Sequence, residues 1–170
     1  IDIGIPEDFE KAQHDLAVTL PELRAIDSSW TLFIDRDGVI NEDSDQYIKS
    51  PDEWKPITGS LEAIAKLNQA GYHVVIATNQ SGVARGLYDM ETLNTIHEKM
   101  FRLASKVGAQ IDAIFYCPHT DADGCGCRKP KSGLFEEISA RYGISLVGVP
   151  VVGDTIRDLV AGVHVGAPCW

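Results

Sequence analysis

Residues 30–41 read WTLFIDRDGVIN, and this stretch decides the fold. It opens with an apolar run, Trp30–Ile34, of the kind that forms a short buried strand. Two carboxylates, Asp35 and Asp37, follow at once, and Gly38 then permits a tight turn. Side chains two positions apart on an extended backbone point to the same side, so both carboxylates can face one site. The stretch therefore predicts a buried strand that ends in a pair of acids.

The rest of the chain alternates strand and helix patterns. Further strands are predicted at 73–77, 113–116 and 149–152, and helices at 60–70, 90–107 and 134–142. Asp89 and Ser132 precede the last two helices as N-cap candidates, and a glycine follows each helix. This alternation predicts an α/β fold: a Rossmann-like parallel sheet with helices on both faces. Ligands of such folds bind at the carboxyl ends of the strands.

Polar residues stand at each of those ends. Thr78–Gly82 offers hydroxyl, amide and backbone donors that suit phosphate oxygens. Arg128 and Lys129 place two cations together in an acidic chain, and a lysine offsets the charge of a transferring phosphoryl group. Asp154 adds a carboxylate that can complete an oxygen-rich Mg²⁺ site with Asp35.

Each of these signals also has a plainer interpretation. The acids can form a surface turn, 78–82 can cap a helix, and the two cations can be solvated. Asp154 can serve as the N-cap of the helix that follows it. Because the four signals occur in order, each at a predicted strand end, we interpret them together as a phosphoryl-transfer site. One carboxylate of the 35–41 stretch would attack phosphorus, and the other would move protons.

Four soft ligands lie close together in one short loop. The spacing Cys117-x-His119-x5-Cys125-x-Cys127 matches a closed Cys3His zinc site. Four protein ligands leave no position open for water, so the predicted Zn²⁺ is structural rather than catalytic. Its expected task is to stiffen the loop that delivers Arg128 and Lys129. The alternative is a set of reduced thiols without metal.

Composition limits the function classes. The chain has 170 residues, of which 44% are hydrophobic, and suits one globular domain. Its formal net charge of −10 argues against nucleic acid as a partner. No apolar run is long enough for a membrane span, and the beginning lacks the pattern of a secretory signal, so a cytoplasmic location is expected.

These motifs resemble those of the haloacid dehalogenase (HAD) phosphatase superfamily, from Trp30 onward. Within it, the chain is similar to the D-glycero-D-manno-heptose 1,7-bisphosphate phosphatases, through DRDGVIN (35–41), TNQSGVARG (78–86), YCPH (116–119), CGCRKP (125–130) and VGD (152–154). The resemblance implies removal of the 7-phosphate through an aspartyl-phosphate intermediate. The short spacing between the first two motifs implies a capless member. Val39 departs mildly from the usual threonine, and Thr155 stands where some relatives have lysine.

The resemblance also implies roles for individual residues. Asp35 would be the nucleophile and Asp37 the general acid and base, while Thr78 and Lys129 stabilise the phosphoryl group. Asp35, the backbone carbonyl of Asp37, and Asp154 would bind Mg²⁺. The remaining implied residues bind the substrate: Asp43, Ser44, Asp45, Gln46, Asn79, Gln80, Ser81, Arg85 and Arg128.

The first residues, 1–13, resemble instead the end of a sugar-phosphate nucleotidyltransferase. We therefore expect residues 1–28 to be an extension from a fused partner, and 29–170 to be a monomeric phosphatase domain with a shortened C-terminus. The alternative for this extension is an unrelated amphipathic helix over 6–17.

Three other functions stay open at this point. Histidinol-phosphate phosphatase shares the zinc motif, and a nucleic-acid 3′-phosphatase shares parts of the others. A zinc-stabilised phosphate-binding module without turnover is the non-enzymatic alternative.

Overall fold

The fold is an α/β layer structure in a computed structural model that describes residues 31–170. The strands are β1 (Thr31–Ile34), β2 (His73–Asn79), β3 (Ala113–Cys117) and β4 (Val151–Val152), and all pair in parallel in the order β3-β2-β1-β4. The helices are α1 (Ser60–Gln69), α2 (Met90–Lys106), α3 (Gly133–Tyr142) and α4 (Ile156–His164). A short 3-10 turn covers Asp121–Asp123. The predicted fold class is confirmed, whereas the expected N-terminal extension, the helix over 6–17 and Trp30 lie outside the described residues.

The register of the sheet brings the ends of three strands to one edge. Ile34, the last residue of β1, pairs with Ile76 in β2 and with Val152 in β4. The amide of Asp35 continues the pairing by donating to the Val152 carbonyl at 2.9 Å. The residues that follow β1, β2 and β4 therefore emerge side by side.

Alternating residues of the strands bury two separate cores. Leu32 and Ile34 belong to the core that includes residues of α1 and α2, as does the fully buried Trp54. Phe33 faces the opposite core, where its ring lies 5.4 Å from that of Phe135 on α3. Helices thus cover both faces of the sheet, as the nearly continuous apolar strands predict.

The plainer interpretation of Asp154, as the N-cap of the helix that follows it, is wrong. The N-cap of α4 is Thr155 rather than Asp154, and it forms a capping box with Asp158. Asp158 accepts from the Thr155 amide at 3.1 Å and from its hydroxyl at 2.5 Å. Because Thr155 satisfies the helix end, the Asp154 carboxylate is left for the cleft.

The last residues of the chain run beside β4. The Val151 amide donates to the Pro168 carbonyl and the Trp170 amide donates to the Val151 carbonyl, both at 2.9 Å. β4 is shorter than the predicted 149–152. No helix within residues 31–170 has both the length and the apolarity to cross a bilayer.

Candidate active site

A polar cleft of about 250 Å³ lies at the carboxyl edge of the sheet. The loops after β1, β2 and β4 form its walls, as the sequence predicts for this fold. The predicted site residues that line it are Asp35, Asp37, Asp43, Ser44, Asp45, Thr78, Asn79, Gln80, Ser81, Arg128 and Asp154. Among the described residues, the lining does not include Gln46 or Arg85. The guanidinium of Arg85 lies 5.9 Å from the centre of the Tyr47 ring instead.

Lys129 lies beneath the floor of the cleft between two acids. Its ammonium is 2.9 Å from Asp35 and also pairs with Asp158, and its side chain is only 2% exposed. It also donates to the carbonyl of Ala77 in β2 at 2.7 Å. The ammonium therefore pairs with two buried carboxylates and ties them to the central strands.

The charges of Asp35, Lys129 and Asp158 depend on one another. Burial raises the pKa of Asp35 to about 7, although Lys129 pulls it down. Burial also acts to raise the pKa of Asp158, but Lys129 and the hydrogen bonds from Thr155 outweigh it and hold the pKa below its usual value. The pKa of Lys129 is raised, because the attraction of both carboxylates exceeds the cost of burial. Lys129 thus stays protonated, and Asp158 is its permanent counter-ion.

Two loops hold Lys129 in place. Its amide donates to the side-chain oxygen of Asn79, and the Asn79 side chain donates back to the Lys129 carbonyl, both at 3.1 Å. This reciprocal pair joins the end of β2 to the loop before α3. Asn79 therefore positions the cation as well as lining the cleft.

Asp154 faces Asp35 across the cleft. Carboxylate oxygens of Asp35, Asp154 and Asp158 all lie within 4.8 Å of one another. Partial burial and the nearby Asp158 raise the pKa of Asp154 to about 6. The pKa values of Asp35 and Asp154 are therefore both raised, and clustered carboxylate oxygens of this kind are a donor set that suits a hard divalent cation such as Mg²⁺.

Gly38 makes room for this acid. Its φ is +79°, and a Cβ built on it would lie 2.0 Å from Asp154 Oδ2. A side chain at position 38 would therefore occupy the space of the carboxylate.

Asp37 is held by donors on several sides. Arg36 donates to it through Nε and Nη2 at 3.0 and 2.8 Å, and Asn41 donates at 2.9 Å. Gln80 donates to its other oxygen at 2.7 Å. The same Gln80 amide donates to the hydroxyl of Thr78 at 3.1 Å. Thr78, the predicted phosphate ligand, and Asp37, the predicted acid-base group, therefore both accept from the side-chain amide of Gln80.

The Cys/His loop brings its four predicted ligands together. Their ligand atoms lie within 4.8 Å of one another, with Cys117 Sγ 3.7 Å from both His119 Nδ1 and Cys125 Sγ, and 3.3 Å from Cys127 Sγ. Ligands about 2.3 Å from a tetrahedral Zn²⁺ are about 3.8 Å apart. The spacing and the soft donor set therefore fit such a metal. The three cysteines of the loop, and Cys169 outside it, are free thiols rather than disulfides.

Arg128 leaves this loop toward the cleft. Its Nε donates to Asp121 at 2.7 Å and its Nη1 to the His119 carbonyl at 3.3 Å. The side chain is largely buried, whereas that of Asp121 is 79% exposed. The loop thus fixes the direction of a cation that borders the cleft.

Sequence reasoning missed several residues of the site, including four that carry or contact its charges. Asp158 pairs with Lys129, Arg36 with Asp37 and His97 with Arg36, while Arg157 lines the cleft. The pattern Thr155-x-x-Asp158 is a capping-box signal that could have revealed Asp158. Arg36 lies inside the DRDGVIN motif and Arg157 follows Asp154 by three positions, but neither position signals its contacts, and tertiary packing alone brings His97 to the site.

Comparisons with known proteins agree with this geometry. The family described as polynucleotide kinase 3 phosphatase matches residues 32–155. D-glycero-beta-D-manno-heptose-1,7-bisphosphate 7-phosphatase of Bordetella bronchiseptica is 55% identical over 82% of this chain and 78% of the relative. The protein of that name from Pseudomonas aeruginosa is 54% identical over 76% of this chain and 73% of the relative.

Two solved structures are also similar to this chain in fold and sequence. The crystal structure of the D,D-heptose 1,7-bisphosphate phosphatase from B. bronchiseptica, complexed with magnesium and phosphate, superposes with a TM-score of 0.82 at 55% identity. The superposition covers 83% of this chain and 79% of the chain in that crystal structure. A HAD-like phosphatase from Mesorhizobium loti superposes with a TM-score of 0.76 at 34% identity, over 82% of this chain and 69% of that one.

Proposed function

The chain belongs to the D-glycero-beta-D-manno-heptose-1,7-bisphosphate 7-phosphatase family within the HAD phosphatases, and we propose that its cleft removes the 7-phosphate through an aspartyl-phosphate at Asp35. The observation that carries this proposal is the convergence of Asp35, Lys129 and Asp154 at the carboxyl edge of the sheet. A buried carboxylate beside a fixed cation is suited to attack a phosphoryl group.

In the first half-reaction, an Asp35 oxygen attacks phosphorus and the bond from phosphorus to the sugar oxygen breaks. Asp37 gives its proton to that leaving oxygen. Thr78 and Lys129 stabilise the negative charge of the transferring group. Asn79 supports this step through its hydrogen bonds to the backbone of Lys129.

In the second half-reaction, Asp37 takes a proton from water. The water oxygen attacks phosphorus, and the bond between phosphorus and the Asp35 oxygen breaks, which releases inorganic phosphate and restores the nucleophile. Asp37 thus returns to its starting protonation state, so the cycle balances.

We assign Mg²⁺ to Asp35, Asp154 and the backbone carbonyl of Asp37. When bound, it would supply positive charge that balances the phosphoryl oxygens. Asp158 is a poorer ligand, because one of its oxygens pairs with Lys129 and the other accepts from the Thr155 amide and hydroxyl. Zn²⁺ is assigned to Cys117, His119, Cys125 and Cys127, where it would stabilise the loop that bears Arg128.

The second phosphate of the substrate remains on the product, and Arg128 is our choice for its binding. Asp121 and the His119 carbonyl direct Arg128 along the cleft wall. The loop of Asp43, Ser44 and Asp45 forms another part of that wall. Gln46 and Arg85 remain candidates only for contacts at the rim. Relatives are named for the beta anomer, which we propose as the preferred substrate.

We further propose a cytoplasmic, monomeric domain, and a nucleotidyltransferase origin for residues 1–28. A nucleotidyltransferase that activates a sugar 1-phosphate would use the product of this phosphatase. The net charge of −10 supports a small substrate rather than nucleic acid, even though the matching family profile is that of a polynucleotide phosphatase.

A substrate panel tests the proposal. Phosphate release with Mg²⁺ should be measured on both anomers of heptose 1,7-bisphosphate, on histidinol phosphate and on a 3′-phosphorylated oligonucleotide. We expect kcat/KM to be highest for the beta anomer of heptose bisphosphate. A higher value for histidinol phosphate or the oligonucleotide would overturn the substrate assignment.

A variant tests the nucleophile. Asp35→Asn should lower kcat by a factor on the order of 10⁴ or more, because no aspartyl-phosphate can form. The matched control is Asp52→Asn, an exposed acid outside the cleft lining. Turnover that survives Asp35→Asn would refute the assignment, and equal binding without turnover in either form would favour a phosphate-binding module.

A further inference from the structure

Arg36, the residue between the two catalytic acids, is fully buried. Its guanidinium lies against the Asp37 carboxylate, with Nε 3.0 Å from Oδ1 and Nη2 2.8 Å from the same oxygen. Nη2 also donates to Oδ2 at 2.9 Å. A planar fork of this kind fixes both the position and the plane of a carboxylate.

A histidine from another element holds the fork itself. His97 on α2 lies 3.3 Å, Nε2 to Nη1, from Arg36, although 61 positions separate them in the chain. Burial and the adjacent Arg36 lower the pKa of His97 to about 4, so the ring is neutral near pH 7 and can accept from the arginine. The ring also lies 6.1 Å from that of Tyr116 at the end of β3.

The other side of Asp37 is fixed from the cleft. Gln80 donates to Oδ2 at 2.7 Å, and the hydroxyl of Tyr88 donates to the Gln80 oxygen at 2.8 Å. Asp37 is therefore oriented from the protein interior by Arg36 and from the cleft wall by Gln80. Buried ion pairs seldom stabilise a fold more than apolar residues of the same size, so stability alone is a weak reason to bury Arg36.

We propose that Arg36, held in place by His97, is a positioning residue that directs the Asp37 carboxylate for proton transfer in both half-reactions. The proposal rests on the proposed role of Asp37 as acid and base. Neither Arg36 nor His97 lines the cleft in the described part of the chain, so each acts through Asp37 rather than on the substrate.

This role makes a specific prediction about leaving groups. A sugar oxygen must be protonated as it leaves, whereas p-nitrophenolate leaves without a proton. A misdirected Asp37 should therefore slow both half-reactions with a sugar phosphate. With p-nitrophenyl phosphate it should slow only the hydrolysis of the aspartyl-phosphate, which would produce a burst of one p-nitrophenol per enzyme.

Three variants separate the fork from its support. Arg36→Lys keeps the charge but loses the fork, His97→Leu removes the acceptor, and His97→Gln restores an acceptor. With sugar phosphate, we expect kcat to fall about 100-fold for Arg36→Lys and about tenfold for His97→Leu, with KM nearly unchanged. His97→Gln should stay within about threefold of wild type. Arg102→Lys, an exposed arginine on α2, is the matched control.

A double-mutant cycle decides how His97 acts. In an Asp37→Asn background, His97→Leu should lower the remaining activity by less than about twofold, because the group that it positions is gone. A tenfold loss in that background, or equal losses in the burst and steady-state phases of p-nitrophenyl phosphate, would overturn the proposal. If Arg36→Lys does not fold, the comparison of His97→Leu with His97→Gln tests the proposal without it.

The aryl phosphate also separates this inference from the proposed substrate. If wild type hydrolyses p-nitrophenyl phosphate but not heptose bisphosphate, the substrate assignment fails and the burst experiment still tests the fork. If wild type turns over heptose bisphosphate, and neither His97 variant differs from wild type in the p-nitrophenol burst with p-nitrophenyl phosphate, the inference alone fails.

Discussion

The carboxylate cleft and the Cys/His loop are both candidate metal sites, but the protein holds them together in different ways. Strands β1, β2 and β4 position the acids of the cleft, and Lys129 already forms ion pairs with two of them. Cys117 is the last residue of β3, but the other three ligands of the Cys/His loop lie between β3 and α3, where the 3-10 turn Asp121–Asp123 is the only regular element of the described chain. Burial raises the pKa of Cys117 to about 12, so the thiolate needs a metal to form.

This difference indicates that the proposed Mg²⁺ of the cleft serves the reaction, whereas the proposed Zn²⁺ of the Cys/His loop serves the structure of the loop. The cleft should keep its shape without Mg²⁺, because the sheet and Lys129 hold it. The loop from His119 to Cys127 should lose order without Zn²⁺, because no helix or strand holds it apart from the 3-10 turn. Withdrawing each ion in turn therefore tests the comparison directly.

The largest expected effect is that of Mg²⁺ withdrawal. Dialysis into Mg²⁺-free buffer should lower kcat by a factor on the order of 10³ or more, since the phosphoryl charge is no longer balanced. The circular dichroism spectrum should stay the same, and added Mg²⁺ should restore activity. A cooperative loss of helix on dialysis would contradict the view that the sheet and Lys129 maintain the cleft without metal.

Lys129→Met should have the next largest effect. It leaves Asp35 and Asp158 facing each other without a cation, so we expect kcat to fall about 10³-fold and the free energy of unfolding to fall by about 3–5 kcal/mol. Phosphate release and urea denaturation measure the two quantities. Lys66→Met, an exposed lysine on α1, is the control. An unchanged unfolding midpoint would show that the pair is not important for the cleft.

Cys127→Ser should weaken the loop rather than the chemistry. We expect less than one bound zinc per chain and a kcat/KM for heptose bisphosphate about 10- to 100-fold lower, mainly through KM, because Arg128 loses its direction. Metal analysis and kinetics measure these changes. Cys169→Ser, outside the cluster, is the control. If kcat falls and KM does not, the loop acts on the reaction rather than on binding.

The stability of the Mg²⁺-free protein should depend on pH in a defined direction. The pKa of Asp35 is higher in the folded protein, at about 7, than its ordinary value of 3.8, so the folded state binds this proton more tightly. Its contribution therefore favours folding at low pH and is lost as pH rises from about 4 to about 7. We expect Asp35→Asn to remove this part of the dependence, as measured by urea denaturation. An identical pH profile in the variant would contradict the assignment.

The smallest expected effect is that of Asp121→Asn. The hydrogen bond from Arg128 holds the pKa of Asp121 below its usual value, so the carboxylate stays charged near neutral pH. Because the side chain is 79% exposed, we expect KM for heptose bisphosphate to rise only about two- to threefold. Glu62→Gln, an exposed acid on α1, is the control. A tenfold rise would mean that Asp121 is the main support of Arg128.

The sequence was sufficient to predict the sheet and most of the cleft. Apolar runs marked all four strands, and the rule that ligands bind at strand ends brought Asp35, Thr78, Lys129 and Asp154 together correctly. Asp89 also proved to be the N-cap of α2, accepting from the Thr92 amide at 2.8 Å. These signals are local, so one sequence suffices to find them.

The sequence did not show which residues hold the catalytic groups. His97 is one apolar-face residue of a 17-residue helix, and only the packing of α2 places it beside Arg36. Asp158 belongs to a capping box and an ion pair at once, and the second role depends on a lysine far away in the chain. The alternative interpretation of Asp154 as a cap is wrong, because Thr155 takes that position.

Gly38 has a consequence for variation of this protein. A single added carbon at this position would lie where an oxygen of Asp154 now lies. Randomising the codon and selecting for turnover should therefore return glycine alone, whereas selecting only for soluble expression should admit a few small replacements. The gap between those two libraries would measure how much of the constraint at one position comes from catalysis and how much from the backbone.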